Sequence, residues 1–101
     1  MTIRLVDRGS EGELLLEGSM DTLSAPETEK IFDLMTQRYD RLILNLSGLD
    51  YVFSPGLRLV KKAHLDMQRK GGELIVSYPD KAVMEVFELA GLIGLLHFEN
   101  V

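Results

Sequence analysis

Phe53-Ser54-Pro55-Gly56-Leu57 is the segment of this chain whose residue types and order point most directly to chemistry. A serine followed by proline suits the start of a helix. The hydroxyl can accept from a free backbone N–H, and proline loses nothing at the first helical position, where its missing donor is not needed. The same place suits a phosphoryl group, because a helix start offers unpaired N–H donors and the positive end of its dipole. Ser54 is therefore read both as the cap of the following helix and as a candidate phosphoacceptor.

Catalysis by the chain itself is not expected. No general base stands beside Ser54 in sequence, and neither a Gly-x-Ser-x-Gly elbow nor a phosphate-binding glycine loop occurs. The absence of cysteine excludes disulfides, thiolate metal sites and thiol nucleophiles. His64 and His97 are far apart in sequence and have no acidic pair at ligand spacing, so both are read as core or boundary residues. No metal and no cofactor is expected.

The elements that must position this turn are legible from hydrophobic period. Ile3 to Val6 and Leu14 to Glu17 flank Gly9-Ser10-Glu11-Gly12 and predict an antiparallel hairpin. Ser24 with Glu27 three residues on has the form of a capping box, followed by Ile31, Phe32, Met35 and Tyr39 at helical spacing, so a first helix is predicted over 25–38. Leu42-Ile43-Leu44-Asn45-Leu46 and Leu74-Ile75-Val76 are nearly continuous apolar runs, as buried parallel strands require, with the first ending near Ser47. Between them Leu57, Leu59, Val60, Ala63, His64 and Met67 fill one arc of a second helix that Gly71-Gly72 ends. Pro79-Asp80 opens a third helix with Val83, Val86, Phe87 and Ala90 as its buried stripe and Gly91 as its stop, and Leu95 to Phe98 forms a last short strand. The order is β-β-α-β-α-β-α-β, an α/β fold with a mixed β-sheet in a single domain over 1–101, because a strand-helix-strand crossover makes the central strands parallel.

This element order, with Gly18-Ser19-Met20-Asp21 after the second strand, Phe53-Ser54-Pro55-Gly56-Leu57 before the second helix and Gly71-Gly72-Glu73-Leu74 before the fourth strand, resembles a STAS domain. Val86-Phe87-Glu88-Leu89-Ala90-Gly91-Leu92 is similar to that family's terminal helix. The resemblance spans nearly the whole chain and is closest to the anti-sigma factor antagonists, which read Asp-Ser-Ser-Gly-Leu or Asp-Ser-Thr-Gly-Leu at the turn and are phosphorylated on the first serine by a kinase-type anti-sigma factor. It implies that Ser54 is the corresponding serine, with Gly56 and Leu57 retained. Phe53 stands where the family has an acid and Pro55 where it has a second hydroxyl, which removes a charge, a hydroxyl and a backbone donor from around the acceptor. Asp21 is similar to the family's acidic residue in the neighbouring loop.

On the second helix Arg58, Lys61, Lys62 and Arg69 lie opposite the apolar arc with Leu65 among them, a face that reads as partner-binding because the same helix begins at Ser54. With Asp21, Phe53, Ser54, Pro55 and Gly56 these residues make the expected docking surface. The implied function is a partner switch: the unmodified domain binds a kinase-type anti-sigma factor or similar regulatory protein, and phosphate on Ser54 releases it. The partner would hold the ATP. The alternative is a non-phosphorylated scaffold or adaptor subunit in a stressosome-like or transporter complex. Eleven Lys and Arg against 16 Asp and Glu give a net charge of −5, which disfavours nucleic acid and anionic membrane as partners. No run approaches the roughly 18 apolar residues of a membrane span, and the N-terminus has no apolar signal core, so a cytoplasmic protein is expected.

Overall fold

The computed structural model describes residues 1–100. Two antiparallel strands come first, β1 (Thr2–Arg8) and β2 (Glu11–Met20). Then follow α1 (Ala25–Arg38), β3 (Arg41–Val52), α2 (Ser54–Arg69), β4 (Glu73–Ser77), α3 (Lys81–Leu89) and β5 (His97–Phe98). The five strands form one sheet in chain order, with β1 antiparallel to β2 and β2 through β5 parallel to one another. This is the expected element order and mixed sheet.

Alternation along the strands decides where the core sits. Leu14 and Leu16 of β2, Leu42, Leu44 and Leu46 of β3, and Leu74 and Val76 of β4 share one buried cluster with Phe32 of α1, Leu59, Ala63 and Met67 of α2, and Val83 and Phe87 of α3. On the opposite face Ile43 and Ile75 are buried as well, with Leu15 and Asn45 beside them and a charged group toward the start of β2. Glu13 accepts from Arg8 Nη2 at 2.7 Å and from Asn45 Nδ2 at 2.9 Å, and Glu11 lies 3.3 Å from Arg41 Nε. The Asn45 bond, joined by Arg8, holds the Glu13 carboxyl below its ordinary value against the opposing effect of burial.

The helix ends are closed by side chains and turns. Lys70, just beyond α2, donates from Nζ to the carbonyls of Thr36, Gln37 and Tyr39 at 3.0, 3.2 and 2.9 Å, placing a cation on the negative end of α1. At the end of α3 the Leu92 N–H reaches Phe87 O and the Gly91 N–H reaches Glu88 O, a Schellman turn that needs the left-handed φ of +74° found at Gly91.

Five expectations are corrected. β3 does not stop near Ser47 but runs to Val52, and β2 runs through Met20, so Gly18-Ser19-Met20 is strand and not the loop after it. The ladder shifts between Leu15 and Glu17 and again between Gly18 and Ser19, and these irregularities let Leu49 and Val52 return to the core after the exposed Ser47-Gly48. Ser24 holds the cap position of α1, its carbonyl accepting from the Thr28 N–H, but the expected capping box with Glu27 does not form. Ser24 is already helical, at φ −86° and ψ −16°, and its side chain makes no cap bond. Ala90 is exposed as the cap residue ending α3, and only Val83 and Phe87 of its stripe are fully buried. His64 is buried on α2, whereas His97 is exposed, its Nδ1 2.8 Å from Glu73 and its Nε2 3.2 Å from Glu99. No helix of the described residues is long and apolar enough to cross a membrane.

Candidate functional site

The strand-to-helix handover is tighter than the sequence suggests. Phe53 alone separates β3 from α2 and is extended, at φ −98° and ψ 172°. Its N–H donates to Met20 O at 2.9 Å, adjoining the last residues paired between β2 and β3, while its carbonyl accepts the first helical bond from the Leu57 N–H at 3.1 Å. Phe53 is therefore the cap residue, and Ser54 and Pro55 are the first two residues inside the helix. The expectation that Ser54 caps α2 is corrected for that reason: the backbone bond to Met20 fixes the cap one residue earlier. No side-chain cap bond is made, and the exposed Ser54 hydroxyl has no hydrogen bond among the described residues. It stands at the positive end of a 16-residue helix whose first turn holds no acidic side chain.

Gly56, one residue further into α2, is buried against the end of β2 and β3. A Cβ at this position would lie 2.6 Å from Met20 Cβ and 2.7 Å from Val52 Cγ2. Absence of a side chain is what lets the helix start come this close to the strand ends.

Asp21 follows β2 and closes the neighbouring turn. Its Oδ1 accepts from the Ser24 N–H at 3.0 Å and from the Ser24 hydroxyl at 3.1 Å, and Ser24 Oγ accepts in return from the Asp21 N–H at 3.1 Å. Its carbonyl accepts from the Ala25 N–H. The reciprocal cap expected of Ser24 and Glu27 thus forms three residues earlier, between Asp21 and Ser24, because the chain turns helically as soon as it leaves β2. These bonds, the Ser24 N–H foremost, hold the Asp21 carboxyl below its ordinary value.

A pH dependence follows. A group whose folded value is depressed contributes stability that is present above the unfolded value, about 3.9 for aspartate, and is lost as pH falls through the folded value. Asp21→Asn keeps a cap acceptor but cannot titrate. Its unfolding free energy, from urea melts between neutral and strongly acidic pH, is expected to fall less steeply than that of the wild type. Parallel curves would remove the assigned role.

Around Ser54 the surface is apolar on one side. Leu23 is 93% exposed, Phe53 47% and Tyr51 40%, and the Tyr51 and Phe53 rings meet edge to face with centroids 4.8 Å apart. Asp21, Thr22, Leu23 and Phe53 line an open depression. Leu23 and Tyr51 were not legible as site residues. The one available signal was Tyr51-Val52-Phe53, where two aromatics flank a buried valine just before the serine.

The basic face of α2 divides. Lys62 is bound by α1, with Nζ 3.0 Å from Glu29 and 3.1 Å from Asp33, and those two carboxylates raise its pKa. Arg69 pairs with Asp66 at 3.0 Å, one turn back on its own helix. Leu65, expected as an exposed leucine on this face, is half-buried. Arg58 and Lys61 are exposed and make no ion pair among the described residues. So the structure brings Asp21, Phe53, Ser54, Pro55 and Gly56 together at the strand ends with Arg58 and Lys61 beside them, and it commits Lys62 and Arg69 to partners within the chain.

Comparison with known proteins agrees with the family resemblance and the fold. The family model of the STAS domain matches residues 4–101. A candidate anti-sigma factor antagonist of Bordetella bronchiseptica, BtrV, is 29% identical over 86 residues, which are 84% of this chain and 74% of that protein. The structure of an anti-sigma factor antagonist from Mycobacterium paratuberculosis superposes with a TM-score of 0.87 at 19% identity, over 99% of this chain and 86% of that one. The anti-sigma factor antagonist SpoIIAA in its unphosphorylated form gives 0.84 at 19% identity, over 98% and 89%. At such identities the two superpositions speak to the fold.

Proposed function

Because this chain belongs to the STAS domain family, whose model it matches from residue 4 to residue 101, we propose that it is a cytoplasmic partner-switching regulator that docks through the Ser54 turn onto a kinase-type anti-sigma factor. The observation that carries the reading is the free Ser54 hydroxyl at the start of α2. Had it capped the helix, phosphorylation would have had to break that bond first; at the first position inside the helix it is accessible to a phosphoryl donor without local unfolding. The partner supplies the nucleotide and the base. The Ser54 oxygen attacks the γ-phosphorus of ATP, the bond to the bridging oxygen breaks, ADP leaves, and the hydroxyl proton passes to the partner's base.

Phosphate would add about −1.5 to −2 charge at the centre of the docking surface, enough to reverse binding through desolvation and repulsion from acidic groups of the partner. Phe53 and Pro55 do not block this reading. Pro55 occupies one of the first helical positions, where its missing N–H breaks no helical bond.

The test is incubation of the purified chain with ATP and a candidate kinase-type anti-sigma factor. One phosphate per chain is expected, absent in Ser54→Ala. Equal modification of Ser54→Ala would refute the acceptor assignment. Stable binding with no phosphate transfer would favour a constitutive adaptor using the same surface.

A further inference from the structure

We infer that the exposed Leu23, Tyr51 and Phe53 beside Ser54 form the anchor of the docking surface, which receives an apolar side chain of the partner flanked by carboxylates that lie over α2. The inference rests on the reading that a partner binds at the Ser54 turn, and it names the chemistry of the segment that fits there. Large apolar side chains left exposed together are costly in water and mark contact sites, and aromatic residues are over-represented among those that dominate binding. Here the exposure has a defined shape: Leu23 and Phe53 border the same depression, and Tyr51 supports Phe53 edge-on.

Charge selects the occupant. In a chain of net charge −5 most cations are already committed, to carboxylates or, for Lys70, to the carbonyls that end α1. Lys30, Arg58, Lys61 and Lys81 make no such bond among the described residues. Arg58 and Lys61 alone of these share a helix, and they follow Ser54 at the fourth and seventh residue, on one stripe. Asp21 also lines the depression, but its carboxylate is engaged by the Ser24 N–H and hydroxyl, and Asp50 lies on β3 just before Tyr51. A partner segment that places a leucine or phenylalanine between Leu23 and Phe53 and its carboxylates along α2 satisfies both halves. A basic segment satisfies only one. The second exposed apolar group, Leu89, Ile93 and Leu95 around the end of α3, adjoins the exposed acids Glu85 and Glu88 and so selects the opposite charge.

The test needs neither ATP nor the cognate partner, so its outcome is separable from that of the phosphorylation assay. The full chain, labelled with 15N, is titrated with acetyl-Glu-Glu-Leu-Phe-Glu-Glu-amide and with the peptide in which lysine replaces every glutamate. The acidic peptide is expected to give saturable amide shifts at Thr22, Leu23, Tyr51, Phe53 and Arg58. Leu23→Ser and Arg58→Glu, both at exposed positions and checked for an intact spectrum, are each expected to weaken it at least about fivefold. Equal shifts from the lysine peptide, shifts confined to the Leu89 to Leu95 surface, no saturable shift at millimolar peptide, or unchanged affinity in Leu23→Ser would each overturn the inference.

Discussion

Gly56→Ala is expected to destabilise the fold by about 2 kcal/mol, although alanine is the better helix former by up to about 1 kcal/mol. The added methyl would lie 2.6 Å from Met20 Cβ and 2.7 Å from Val52 Cγ2, and Met20 O stands 3.3 Å away. Met20 Cβ is fixed to the backbone and cannot swing aside, so relief requires the first turn of α2 to lift from the strand ends. Overpacking of this kind costs typically 1–3 kcal/mol or somewhat more, which outweighs the propensity gain. Lifting the turn would also strain the Phe53 N–H bond to Met20 O that sets Ser54 in place. A drop in melting temperature on the order of 10 °C is the readout, with loss of Ser54 phosphorylation at temperatures where the wild type is still modified. A variant as stable as the wild type would mean the turn has room that the structure denies it.

Phe87→Ala is expected to cost more, about 4 kcal/mol, and to do so without touching the candidate site. Phe87 is fully buried on α3 and meets Phe98 of β5 edge to face at 5.7 Å. Its removal forfeits the transfer energy of a large ring, leaves a cavity and loses an aromatic pair worth about 1 kcal/mol. Against a total of about 5–15 kcal/mol for a domain of ordinary stability, that is a large share. β5 is a two-residue edge strand, so it has little else to hold it. Urea unfolding should show a lower midpoint at an unchanged slope, and peptide binding at Leu23 and Phe53 should persist while the protein is folded. A cost under about 1 kcal/mol would show that the site collapses to fill the space, contrary to a close-packed core.

Gly56 governs how near the helix start approaches the strand ends, and Phe87 governs how the last helix and edge strand close the core. A lesion around Gly56 is therefore expected to change both stability and the Ser54 turn, and one at Phe87 stability alone.

The amino-acid sequence by itself determined the element order and the face each element buries. Apolar period is a local property: Leu42 to Leu46 and Leu74 to Val76 read as covered strands, and Leu59, Val60, Ala63, His64 and Met67 as one helix face, whatever lies opposite them. It also located the Ser54 turn. Tertiary structure alone decided what that turn presents. Phe53 became the cap because its N–H is bonded to Met20, 33 residues earlier, and no local pattern reveals that bond. β3 ran on past Ser47 because β2 continued beside it, and a strand's length depends on its partner as much as on its own residues. Lys62 left the expected docking face because α1 brought Glu29 and Asp33 to it, leaving Arg58 and Lys61. Leu23 and Tyr51 joined Phe53 only once the ends of β2 and β3 were side by side, since proximity between residues distant in sequence is created by folding and carries no periodic trace.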